Sequence, residues 1–123
     1  MYKKVIWSPR AQEEYISTLE YWIEHNDSST YSNKIIDEVE RIEQRILDFP
    51  IAHPIVYQTP EKEIRRVLIL HNFSLFYQIF TDRIEIVFFF DNRNDPKKLI
   101  LYGSVYFQTI TLLLRACSSH KIC

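Results

Sequence analysis

Glycine is almost missing from this chain: Gly103 is the one glycine in 123 residues. That excludes Gly-rich phosphate-binding loops and long flexible linkers. Cysteine is scarce too, and its two copies, Cys117 and Cys123, fall in the last seven residues. They make no disulfide framework, and this usage is expected of a reducing cytoplasm. Neither charge sign dominates. Fifteen Lys and Arg against sixteen Asp and Glu leave a net charge of -1, so the chain as a whole lacks the electrostatic footprint of a nucleic-acid binder. The four histidines are scattered with no pair at metal-ligand spacing, so neither a metal site nor a cofactor is expected. The chain does not open on a basic stretch followed by an apolar run, so no secretory signal is expected.

What the chain has is apolar surface to bury. Hydrophobic residues make up 46% and aromatic residues 15%, enough for the core of a single domain at this length. The stretch Ile64 to Arg93 organises the rest. It reads as three apolar runs, IRRVLIL, FSLFYQIF and RIEIVFFFDNR, separated by His71-Asn72 and Thr81-Asp82. Each run has strand length and is rich in Ile, Val, Phe and Tyr. The breaks are short enough for hairpins, so a three-stranded antiparallel meander is expected.

Upstream, Tyr2 to Trp7 reads as a first strand. Ser8-Pro9 is a helix start, with Ser8 as N-cap and proline at the first helical position. The spacing predicts a helix over Pro9 to His25, burying Ala11, Tyr15, Leu19, Trp22 and Ile23. A polar break at residues 26–29 precedes a second helix, Ser29 to Asp48, with the stripe Tyr31, Ile35, Val39, Ile42 and Ile46. Its other face is charged, and Asp37 and Arg41 are spaced for an i,i+4 ion pair. So short a connection makes an antiparallel helical hairpin. Phe49-Pro50 ends the second helix, and residues 50–63, with three prolines, read as a surface loop. The expected fold class is therefore α+β: N-terminal strand, helical hairpin, then meander, with the helices on one face of the sheet.

Strand alternation divides the meander into two faces. Phe73, Leu75, Tyr77 and Ile79, with Ile84, Ile86, Phe88 and Phe90, are assigned to the helix side. Phe76, Phe80, Val87 and Phe89 fall on the other side, which one helix layer cannot cover. An exposed apolar patch of that kind marks a partner site; the alternative is coverage by the chain's own tail. That tail, Leu99 to Leu114, is apolar but too short and too interrupted for a membrane span. Arg65 and Arg66 open the meander and Arg93 closes it. Guanidinium groups on a rigid sheet suit phosphate or carboxylate, although strand ends are also simply where charged side chains reach water.

The order of these elements, with VIWSPRAQEEY, ILDFP, Arg65-Arg66, SLFYQI and FFFDNRNDPKKL, resembles the RelE/ParE family of toxins from bacterial type II toxin-antitoxin systems. The likeness covers residues 3–99 and leaves 100–123 as a tail without counterpart. It implies a cytoplasmic, growth-inhibiting toxin, of the kind linked to plasmid stabilisation, silenced by a cognate antitoxin across the apolar sheet face at Phe76, Phe80, Val87 and Phe89. The family divides into ParE-like members that poison DNA gyrase and RelE-like members that cleave mRNA on the ribosome. Arg65, Arg66 and Arg93 match cationic family positions. The nuclease branch needs more cations and a late tyrosine. Ser74 stands where it has an arginine and Leu99 where it has the tyrosine, with Tyr102 nearby. The expectation is therefore ParE-like, with the ribosome-dependent endoribonuclease and an inactive antitoxin-binding module as alternatives.

Overall fold

The computed structural model describes residues 4–93. The elements are β1 (Lys4–Trp7), α1 (Pro9–Asn26), α2 (Thr30–Asp48), β2 (Ile55–Gln58), β3 (Glu63–Ile69), β4 (Phe73–Ile79) and β5 (Arg83–Asp91). They form one five-stranded sheet in the order β1-β5-β4-β3-β2. β1 runs parallel to β5, and the other neighbours are antiparallel. The two helices pack on one face, so the α+β expectation holds. One strand went unforeseen: β2 lies inside the proline-rich stretch read as loop.

Local chemistry explains the helices. Ser8 caps α1, its Oγ accepting from the Ala11 N–H at 3.0 Å, with proline in the first turn. Asp27 ends α1 in the left-handed conformation at φ 50°. α2 buries Ile35, Val39, Ile42 and Ile46, the stripe expected of it. It also buries Ser32, whose hydroxyl donates to the Leu19 carbonyl at 2.7 Å and so pins the hairpin. Two readings of the helix surfaces change. Arg41 pairs with Glu38 at 2.7 Å rather than with Asp37. Ile23 is 42% exposed, because the buried side of α1 is narrower than the stripe assigned to it.

The β3–β4 turn is made without glycine. Leu70 and His71 both have positive φ, 52° and 65°, and Asn72 N–H closes the turn on the Ile69 carbonyl at 3.1 Å. Left-handed backbone costs about 1–2 kcal/mol per residue, so the hairpin holds because the strands beyond it pair.

The main core gathers α2's stripe, Ala11, Val67, Ile69, Phe73, Leu75, Tyr77, Ile84, Ile86 and Phe89. A second cluster, Ile64, Phe76, Phe88 and Phe90 with Val56, Tyr57 and Val87 against it, occupies the opposite face. This changes four assignments. Phe88 and Phe90 leave the helix side, Phe89 enters it, and Phe76 is fully buried at 0% instead of exposed. The cause is a bulge. Phe76 pairs with Phe88 but Tyr77 pairs with Ile86, leaving Val87 as an extra residue in β5. One inserted residue flips every side chain beyond it to the other face.

The backbone groups disturbed by the bulge are claimed by the start of α1. Ser8 N–H donates to the Ile86 carbonyl at 2.9 Å and Ser8 Oγ to the Val87 carbonyl at 3.2 Å. The Phe89 N–H donates to Glu14 Oε1 at 3.0 Å, while Arg10 Nε holds Glu14 Oε2 at 3.1 Å. Burial raises the Glu14 pKa above 4.5, against the lowering effect of the Phe89 N–H and Arg10.

Glu14→Ala is expected to cost about 1–3 kcal/mol, since it orphans a buried N–H, and Glu14→Gln considerably less; chemical denaturation measures both. The raised folded pKa fixes a sign. The carboxyl's proton-linked contribution is full below the unfolded value of 4.5 and is lost as pH rises through the folded value. The stability of wild type relative to Glu14→Gln should therefore fall on going from acid to neutral pH.

Candidate functional site

Arg65 and Arg66 are neighbours on β3 and so point to opposite faces. On the helix side, Arg65 Nη1 donates to the carbonyls of Ile51 at 3.2 Å and His53 at 2.7 Å, and Nη2 lies 3.4 Å from Glu63. Tyr77, beside it on β4, donates its hydroxyl to the Pro50 carbonyl at 2.6 Å. Burial raises the Tyr77 pKa to about 12. These bonds fix residues 50–53 on the sheet. His53 sits edge-on to Tyr77, and burial, with Arg45 and Arg65 nearby, holds its pKa below the usual value.

On the other face Arg66 is 7% exposed. Its Nε donates to Ser74 Oγ at 2.8 Å, and Ser74 Oγ donates to Asn92 Oδ1 at 2.6 Å. The chain Arg66–Ser74–Asn92 thus crosses three strand positions beside the cluster of Phe76, Phe88 and Phe90. Among the described residues, Arg66 Nη2 and Asn92 Nδ2 are buried without a partner. Burial lowers the Arg66 pKa, with no carboxylate among the described residues contributing. A cation held in this way favours an incoming oxygen acceptor, which would satisfy both spare donors.

Arg93 belongs to a third environment. Its Nε and Nη2 grip both Asp91 oxygens at 2.9 and 3.0 Å. Its guanidinium lies 4.7 Å from the centre of the Trp22 ring and 5.5 Å from that of Phe73. Trp22 in turn meets Tyr31 and His25 edge to face. Asp91 is the main cause of its raised pKa. The structure therefore does not gather Arg65, Arg66 and Arg93 at one point; each is held by its own partners. Arg93 follows directly on Asn92, so the Arg66 network and the Arg93 ion pair meet at the end of β5.

Of the apolar residues assigned to an exposed partner face, Phe76 and Phe89 are buried, the first at the second cluster and the second in the main core. Phe80 and Val87 are half-buried, and the Arg83 guanidinium covers the Phe80 ring at 4.1 Å. Leu99 and Tyr102 lie outside the described residues.

No family model and no curated protein matches the sequence. Solved structures do match the fold. One is a chain described as "Chromosomal ParDE TA system from P. aeruginosa". It aligns with a TM-score of 0.60 over 73% of this chain and 96% of its own length, at 10% sequence identity. The chain has the fold of that ParDE chain. An identity of 10% carries the backbone arrangement and not the residues of a site, so the chemistry must come from the side chains above.

Sequence reasoning missed Ser74 and Asn92 as a unit with Arg66. The available signal was a serine between Phe73 and Leu75, on the same face as Arg66 and diagonal to it, since Arg66 pairs with Phe76 and Ser74 with Leu68. Ser74→Ala should strip the buried Arg66 Nε of its acceptor and cost about 1–3 kcal/mol. Ser74→Thr keeps the hydroxyl and should cost less; thermal unfolding of the two variants tests the difference.

Proposed function

We propose that this protein is a ParE-like toxin of a type II toxin-antitoxin system, inhibiting growth by binding an intracellular target of the gyrase type and neutralised by a cognate antitoxin. The observation that carries the reading is the fold shared with a ParDE chain over nearly all of that chain. The RelE/ParE-like order of sequence motifs supports it independently. In this reading Arg93, just past β5, contacts the target directly, Arg66 on β3 contributes through the Ser74–Asn92 network that ends beside Arg93, and Arg65 serves the 50–53 loop. Phe80 and Val87 offer the antitoxin its accessible apolar contacts. No described helix is long and apolar enough to cross a membrane, consistent with partners away from one.

The arrangement around Arg66 favours target binding over RNA cleavage. Attack by a ribose hydroxyl needs a base, an acid and a cation together. Among the described residues, the Arg66 side chain hydrogen-bonds to Ser74 and, through it, to Asn92, neither of which titrates.

Induction of the chain in cells lacking the antitoxin should stop growth, and the purified chain should inhibit gyrase supercoiling while leaving a translated reporter mRNA uncut. Arg93→Ala should relieve growth inhibition at near-wild-type folding, whereas Arg41→Ala, on the solvated face of α2, should do neither. Ribosome-dependent cuts would replace this reading with the endoribonuclease. A chain that is harmless yet binds the antitoxin would be the inactive module.

A further inference from the structure

Charge is divided unevenly in this nearly neutral protein. The helical hairpin, residues 9–48, carries ten acidic side chains and four basic ones, a net -6, so the rest of the chain is net +5. Glu14, Glu38 and Glu43 are taken up by Arg10, Arg41 and the Trp7 indole N–H. Glu13, Glu20, Glu24 and Glu40 are exposed and enter no ion pair among the described residues.

The unpaired carboxylates are ordered. Glu13, Ile16, Glu20 and Ile23 follow one another on α1 at steps of three, four and three, which places them in a single stripe along the helix. Ile16 is 45% and Ile23 42% exposed, so acid and isoleucine alternate on an outward-facing ridge. Isolated exposed isoleucines are ordinary. Two of them at helical spacing, set between carboxylates with no cation to meet them, form the complement of an amphipathic helix bearing lysine or arginine beside its apolar residues.

We propose that the outer stripe of α1, Glu13, Ile16, Glu20 and Ile23, docks a basic amphipathic helix of a partner protein. Isoleucine supplies the contact area, and the carboxylates supply orientation, on-rate and selection of a basic partner over an acidic one. The surface is separate from the Arg66 network, and the proposal stands whether or not the chain is a toxin.

The probe is a synthetic leucine-lysine amphipathic peptide, titrated against the full chain by fluorescence anisotropy at low and high salt. Wild type should bind, and more weakly at high salt. Glu20→Lys combined with Ile23→Ser should weaken binding at least about tenfold, or about 1.4 kcal/mol, with unchanged circular dichroism. Glu61→Lys makes the same change in net charge on an exposed residue of the β2–β3 connection and should stay within about twofold of wild type. No binding by wild type, or equal weakening by Glu61→Lys, overturns the proposal. So does dimerisation of the chain through this stripe, detected as a loss of dimer on Glu20→Lys with Ile23→Ser. Peptide binding that appears only after removal of the basic segment 94–123 would also overturn it, by making that segment the occupant.

Discussion

The extra residue at Val87 is the constraint on which the rest of the structure depends. Without it β5 would carry Phe88 and Phe90 to the helices and Phe89 to the opposite face. With it, Phe89 enters the main core, stacked on Phe73 with centroids 5.7 Å apart and against Tyr15 at 5.1 Å. Tyr15 stacks on Trp7 at 4.8 Å, and the Trp7 indole N–H donates to Glu43 of α2 at 2.6 Å. One run of contacts thus leads from the bulge through both helices. The bulge also frees the backbone groups that Ser8 and Glu14 satisfy, which sets where α1 begins and how it lies on the sheet. A buried acceptor beside a freed N–H is worth more than its net hydrogen-bond energy suggests, because the alternative is an unsatisfied donor.

The same inserted residue builds the second face. It sends Phe88 and Phe90 to join Phe76 and Ile64 beside Arg66. An arginine among phenylalanines is poorly solvated, and its lowered pKa records that. Ser74 and Asn92 compensate in part, leaving donors spare. The site that distinguishes this chain chemically is therefore a consequence of β5 geometry and not of arginine content. Arg65, one residue earlier, has the same chemistry but the opposite direction, and it spends its donors on loop carbonyls.

Much of this was legible in the residues. α2 announced itself through strong contrast between an apolar stripe and a charged face, and α1 through Ser8-Pro9. The hairpin turns were visible as short polar breaks at 71–72 and 81–82, although left-handed backbone at Leu70 was not, because leucine is a poor indicator of it. β2 was hidden because its four residues lie between Pro54 and Pro60, where composition signals loop. The phase of β5 could not be read at all. In VFFF four apolar residues stand in a row, so alternation carries no information about face, and of the exposed partner patch inferred from that alternation Phe76 and Phe89 are buried while Phe80 and Val87 stay half-buried. The Arg66 network was missed because a serine and an asparagine eighteen residues apart share nothing in sequence. Only the pairing of β3, β4 and β5 joins them.

The most direct test of the bulge is the set of ring-to-ring nuclear Overhauser effects from Tyr15 in the labelled full-length chain. The account predicts strong cross-peaks from Tyr15 to Phe89 and to Trp7, and none to Phe88 or Phe90. Cross-peaks from Tyr15 to Phe88 or Phe90, with Phe89 silent, would mean that β5 runs without the extra residue. The second face, and the Arg66 environment derived from it, would then be wrong.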